Sequence, residues 1–214
     1  SEIESRRSID ISVTAPGFRL PLKLPIVSAP MDSVTESTMA STGDSVGGLG
    51  IIHRYNTADE QEHLVHSCYV NGASNIGAAI GITGDYRERA EKLVRAGANV
   101  ICVDVAHGHH VLMKNCLQDL RSDFGKDVHI MAGNVATLEG FNDISDWGAD
   151  SIRVGIGGGS ICSTRIQTGH GVPTLQSVID CAKSDRDALL VADGGIKNSG
   201  DMVKALAAGA DLLM

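Results

Sequence analysis

Eight short runs of almost wholly apolar residues, each but the last followed by a stretch with helical periodicity, constrain this chain more than any other feature. The runs are Pro25–Pro30, Leu49–His53, Asn75–Gly81, Val100–Val105, His129–Asn134, Ser151–Ile156, Leu189–Gly195 and Ala210–Met214. Strands covered on only one face alternate apolar and polar residues, whereas these do not. They read as strands of a parallel sheet buried on both faces. Amphipathic segments lie between them at Val34–Val46, Ala58–Val70, Asp85–Ala96, His110–Phe124, Leu138–Trp147, Leu175–Lys183 and Ser199–Ala208. Eight strands alternating with seven helices, with no break in composition, predict one α/β domain over residues 1–214, a (β/α)8 TIM barrel. The sequence stops inside the eighth run. Such barrels commonly run to about 250 residues, so we expect one truncated within or just after its eighth strand.

A small repeat marks the same unit. Gly97-Ala98-Asn99, Gly148-Ala149-Asp150 and Gly209-Ala210-Asp211 each stand directly before a strand, with the glycine where a helix end needs left-handed backbone. Glycine is 25 of 214 residues, against a usual share of about 7%, so more of it remains to be placed in turns and close approaches to a ligand. The net charge of −8 argues against a nucleic-acid or anionic-membrane binder. No apolar run nears the ~20 residues that span a bilayer. The odd set Cys68, Cys102, Cys116, Cys162 and Cys181, without secretory features, reads as reduced thiols of a cytoplasmic protein.

The longest gap, between the sixth and seventh strands, opens Gly155-Ile156-Gly157-Gly158-Gly159-Ser160-Ile161-Cys162-Ser163-Thr164-Arg165. Consecutive glycines let N–H groups point at an anion or carbonyls converge on a cation, or simply make a flexible loop. A thiol among hydroxyls and beside an arginine has the setting of a nucleophile. By contrast, Cys102 lies in an apolar strand and reads as packing. The seventh strand ends Asp193-Gly194-Gly195, a carboxylate suited to ribose hydroxyls beside glycine N–H groups suited to a phosphate. Two adjacent anion-binding elements suggest a nucleotide monophosphate. In Asp104-Val105-Ala106-His107-Gly108-His109-His110 the histidines lack zinc-site helical spacing, so Asp104 is expected to enter the cleft while the histidines shape its loop. Met31 with Asp32, His53 with Arg54, and Gly133 with Asn134 are expected to face the same cleft. No GxGxxG follows a strand, so a dinucleotide would bind across the barrel mouth.

The segments SAPMDSVTE (28–36), GGLGIIHR (47–54), DVAHGH (104–109), AGNVAT (132–137), VGIGGGSICSTR (154–165) and ADGGIKNSGDMVKALAAGAD (192–211) together resemble the IMP dehydrogenase/GMP reductase barrels, in family order and over nearly the whole chain. The resemblance implies that Cys162 attacks C2 of the purine and that Thr164 positions or activates the water or amine there. It implies Ser160, Gly194 and Gly195 on the 5′-phosphate, Asp193 on the ribose, and Met31 near the base. Asp104 and Asn134 would lie by the nicotinamide of NAD, and the carbonyls of Gly157, Gly159 and Cys162 would hold K+. It further implies a cytoplasmic homotetramer. Val70-Asn71-Gly72-Ala73-Ser74 joins the second helix to the third strand directly, where dehydrogenases usually carry regulatory CBS modules. That join, DVAHG at 104–108 and the TGHGVP loop at 168–173 look more like a GMP reductase using NADPH, whereas the first two segments look more like the dehydrogenase. IMP oxidation is the favoured expectation, GMP reduction the alternative. A purine-nucleotide-binding barrel without catalysis is a third, and a flavin or phosphosugar barrel would leave the loop cysteine unexplained.

Overall fold

The structure is a computed structural model that describes residues 3–5 and 8–214. In chain order its elements are β1 (Val27–Ser28), α1 (Ser37–Ser45), β2 (Leu49–Ile52), α2 (Ala58–Val70), β3 (Gly77–Ile80), α3 (Tyr86–Ala96), β4 (Val100–Asp104) and α4 (Val111–Phe124). They continue with β5 (His129–Val135), α5 (Leu138–Asp146), β6 (Ser151–Val154), α6 (Thr164–Thr168), α7 (Thr174–Cys181), β7 (Leu189–Ala192), α8 (Ser199–Ala207) and β8 (Leu212–Leu213). The strands are all parallel and lie in sequence order, and Ile26 bridges Leu213 to bring the two edges together. Every expected strand and helix is present; α6, inside the long β6–β7 connection, is an addition. Its residues bury nothing, so it carries no apolar period by which to be read.

Each strand is buried on both faces, and parity decides which side chain enters the barrel. Leu49 and Ile51, Val100 and Cys102, Met131, and Val191 form one cluster inside the ring with Leu22, Val27 and Leu212. Ile52, Ile101, Val103, Ile130, Ile152, Val154 and Leu190 form a second, between sheet and helices. Following the inward parity to the C-terminal ends of the strands leads to Asp104 on β4, Gly133 on β5, Arg153 on β6 and, just past β7, Asp193. The site therefore grows out of the same alternation that fills the barrel.

The N-terminal end is closed by residues 13–22, where Val13 pairs antiparallel with Leu22. Phe18 lies 4.4 Å from the His129 ring, and His129 Nδ1 is 2.9 Å from the Pro16 carbonyl. Gly17 has φ +80°, and a Cβ there would fall 2.1 Å from His129 N, so only glycine fits. The Gly-Ala-Asp/Asn repeat has a double role. Gly97, Gly148 and Gly209 all have φ between +111° and +119° at helix ends. The following Asn99, Asp150 and Asp211 each accept the amide of a residue at the start of the preceding strand, from Ile76, Ile130 and Leu190 at 2.7–2.8 Å. Each unit thus clasps the one before it.

Candidate active site

The C-terminal mouth holds a cleft of about 420 Å³ lined by Met31, Arg54, Tyr55, Asp104, Val105, Ala106, Asn134, Arg153, residues 155–159, Ile161, Cys162, Thr164, Asp193 and Gly194. That volume is in the usual range for a small-molecule site, roughly 300–1,000 Å³. Of the residues singled out in the sequence, it unites Met31, Asp104, Asn134, Gly157, Gly159, Cys162, Thr164, Asp193 and Gly194. Ser160 is exposed on the loop and does not line this cleft. Gly195 lines an adjoining groove between the β6 loop, α7 and α8. Asp32 and His53, expected at the same mouth, instead face an outer recess with Glu36, Glu60 and His63. The strand β2 ends at Ile52, and His53 turns away to lie 3.3 Å from Glu36.

Cys162 follows the glycine run and is exposed, whereas Cys68, Cys102, Cys116 and Cys181 are buried. Its Sγ lies 3.3 Å from Thr164 Oγ1. The Thr164 hydroxyl and backbone amide, with smaller help from Arg165 and the Gly157 amide, hold its thiol below the usual cysteine range. Burial pushes Cys102, Cys116 and Cys181 the other way, to about 12. Backbone freedom at the loop is needed where it meets β7: Gly155 has φ +147°, and a Cβ there would lie 2.1 Å from the Asp193 carbonyl oxygen.

On the opposite wall, Asp193 Oδ2 accepts from Asn134 Nδ2 at 2.6 Å and from Arg153 Nη2 at 2.8 Å and Nε at 3.1 Å. Among the described residues none hydrogen-bonds Oδ1, which is left for a ligand. Asn134 Nδ2 also donates to the Gly155 carbonyl at 2.8 Å, so one amide ties the β5, β6 and β7 ends together. Asp104 Oδ1 accepts from Arg153 Nη1 at 2.6 Å, and its backbone carbonyl accepts from Arg54 Nη2 at 3.1 Å. Arg54 stacks over Tyr55 with 5.5 Å to the ring centroid. Its Nε is buried and makes no hydrogen bond.

Arg153 was not foreseen. Burial opposes its charge, but the carboxylates of Asp193 and Asp104 outweigh this and raise its pKa above the usual arginine value. The signal was in the sequence: an arginine in the middle of an apolar run requires charged partners. The histidines serve the loop: His109 Nε2 lies 2.8 Å from Asp143, and His110 Nδ1 accepts the Leu112 amide at the start of α4.

Fold and cleft define a class, a (β/α)8 barrel whose mouth sets a polarised thiol opposite carboxylates fixed by a buried arginine. Residues 1–214 match the IMP dehydrogenase / GMP reductase domain, and the chain belongs to that family. It is 46% identical over 145 residues to an inosine-5'-monophosphate dehydrogenase of Nitrosopumilus maritimus, covering 67% of this chain and 30% of that protein. It is 49% identical over 142 residues to a GMP reductase of Leishmania major, covering 65% of this chain and 29% of that one. The crystal structure of inosine 5' monophosphate dehydrogenase from Legionella pneumophila matches with a TM-score of 0.89 at 46% identity, over 100% of this chain and 64% of that chain. The chain spans about 30% of the length of these two curated relatives.

Proposed function

We propose that this chain is the catalytic barrel, a single domain over residues 1–214, of a purine-nucleotide oxidoreductase that oxidises IMP to XMP. The observation that carries the reading is Cys162, the exposed thiol with its pKa lowered, at the lip of a nucleotide-sized cleft. In this reading the Cys162 thiolate adds to C2 of the purine, and C2 then loses its hydrogen as hydride. NAD+ supplies the acceptor for that hydride when bound. Water directed by the Thr164 hydroxyl bonds to C2 of the resulting thioimidate, the C–S bond breaks, and Cys162 is regenerated as XMP forms. Asp193 Oδ1 takes the ribose hydroxyls, and the loops bearing Ser160, Gly194 and Gly195 take the 5′-phosphate. Gly194 and Gly195 have φ of +89° and +81°, left-handed backbone that lets the Gly195 N–H approach an anion while the Gly194 N–H is held by the Met214 carbonyl at 3.3 Å. Met31 packs near the base.

The residues present fit the two groups the family implies. The unsatisfied Nε of Arg54, beside Asp104, is a buried donor that suits a polar group of the nicotinamide nucleotide, with Asp104 and Asn134 on the same wall. For K+, the carbonyls of Gly157, Gly159 and Cys162 would be neutral oxygen donors, the kind that replaces the hydration shell of a potassium ion. The Gly159 carbonyl accepts the Cys162 amide at 3.1 Å and keeps a second lone pair. The assembly we propose is a homotetramer, on the family resemblance, in the cytoplasm, where five unpaired cysteines would stay reduced. Among the described residues no helix is long and apolar enough to cross a membrane.

The test is incubation of the full-length protein with IMP, NAD+ and K+, following the absorbance of reduced cofactor. Turnover is expected. The 49% identity to the Leishmania major GMP reductase favours a second reading, in which Cys162 displaces ammonia from C2 of GMP and NADPH provides the hydride. Consumption of NADPH with GMP, and none of NAD+ with IMP, would establish that reading instead. Nucleotide binding with no covalent adduct on Cys162 would refute both.

A further inference from the structure

One side chain stands between the two halves of the cleft and has not been given a role in the chemistry. Arg153 is buried, reaches Asp104 with Nη1 at 2.6 Å, and reaches Asp193 with Nη2 at 2.8 Å and Nε at 3.1 Å. Beneath it, Nη1 is 3.6 Å from the buried Cys102 Sγ. Crossing from β6 to β4 takes the side chain over β5, where a Cβ on Gly133 would lie 2.6 Å from Arg153 Cβ. The missing side chain at Gly133 is what opens that path. The fork of the guanidinium is thereby divided, one arm to each acid. Asn134 adds a third donor to Asp193 Oδ2, and Arg54 Nε sits 3.7 Å from Asp104 Oδ2.

We propose that Arg153 is a positioning residue that couples the nucleotide half of the cleft to the cofactor half. This rests on the proposed function, which puts Asp193 on the ribose and Asp104 beside the nicotinamide. Each acid presents a free or weakly held oxygen to the cleft only because Arg153 is drawn to the other acid as well. If Asp104 loses its charge, the guanidinium swings wholly to Asp193 and engages both carboxylate oxygens, taking Oδ1 away from the ribose. If Asp193 loses its charge, Arg153 closes on Asp104 in the same way. A lysine keeps the charge but, as a single point donor, cannot span both acids.

The experiment measures binding by titration calorimetry of IMP, GMP and NAD+ to the full-length protein and to Asp104→Asn, Asp193→Asn, Arg153→Lys and the double variant Asp104→Asn with Arg153→Lys. Asp104→Asn is expected to weaken nucleotide binding, and Asp193→Asn to weaken NAD+ binding, by about fivefold or more, the scale of coupled sites. With lysine at position 153 the effect of Asp104→Asn on nucleotide binding shrinks to about twofold or less. Effects of each asparagine variant confined to its own ligand overturn the coupling. Should Arg153→Lys not fold, the two asparagine variants decide alone, since each leaves Arg153 one carboxylate partner. Wild-type protein that binds neither IMP nor GMP refutes the proposed function and the coupling with it. Wild-type binding without cross effects refutes the coupling only.

Discussion

The floor of the barrel predicts a measurable acid sensitivity that depends on one residue. His129 is fully buried between strands and the N-terminal plug. Its Nδ1–H donates to the Pro16 carbonyl at 2.9 Å, so Nε2 accepts from the Ser151 hydroxyl at 2.8 Å. Burial lowers its pKa from 6.5 to about 4, against the smaller opposing pull of Asp150. The unfolded chain therefore binds a proton that the folded one refuses between these two values. The contribution to stability is fully present above about pH 6.5 and is lost as pH falls toward 4. At 1.36 kcal/mol per pKa unit, about 2 kcal/mol is gone by pH 5 and about 3 kcal/mol by pH 4. Other groups titrate in the same window, so the assay compares urea unfolding of wild type and His129→Gln at pH 7, 5 and 4. Glutamine can keep one donor and one acceptor but has no proton to take up. The stability advantage of the wild type should shrink by those amounts on acidification. An advantage that stays constant with pH would refute the claim that His129 is held neutral by burial.

Three further outcomes are expected. Cys162→Ala should lower kcat by about a thousandfold or more while changing nucleotide affinity only a few-fold, as read by kinetics and calorimetry, because in the proposed reaction the thiol enters the chemistry and not the ribose or phosphate contacts. Thr164→Val should move the pH profile of iodoacetamide alkylation at Cys162 upward, since the threonine hydroxyl is the largest influence lowering that thiol; an unmoved profile would count against it. Gly155→Ala should cost about 3 kcal/mol or more in urea unfolding, because φ +147° and a Cβ 2.1 Å from a carbonyl oxygen leave no relaxed position.

The apolar runs revealed the strands because both faces of each are covered, and for the same reason they concealed parity. The run Ser151–Val154 does alternate, with Ser151 and Arg153 on one side and Ile152 and Val154 on the other, but two pairs of residues are too short a pattern to say that the polar side is the one facing the barrel interior. Asp104 and Asp193 were legible because they stand at strand ends before small residues, where side chains meet solvent and ligands. Strand limits were less so: Pro25 and Pro30 bound the first run without amide hydrogens to pair, and the regular strand is only Val27–Ser28, with Ile26 adding an isolated bridge to Leu213. His53 looked like a mouth residue by its place after β2. The turn that hands it to Glu36 depends on a contact across 17 positions that no local pattern encodes.

The asparagine and aspartate clasps bear on the cost of assembling such a barrel. Ile76–Asn99, Ile130–Asp150 and Leu190–Asp211 close loops of 23, 20 and 21 residues. Because the strands follow one another around the ring in sequence order, nearly every sheet pairing has a similarly short span. Loop-closure entropy grows only as the logarithm of length, and contact order stays low for a structure that is otherwise a parallel sheet, a class usually dominated by distant pairings. The exception is the seam where Ile26 meets Leu213, the single join that links opposite ends of the described barrel. Seven joins are local and one is global, so among the strand pairings the largest loop-closure cost falls on that seam.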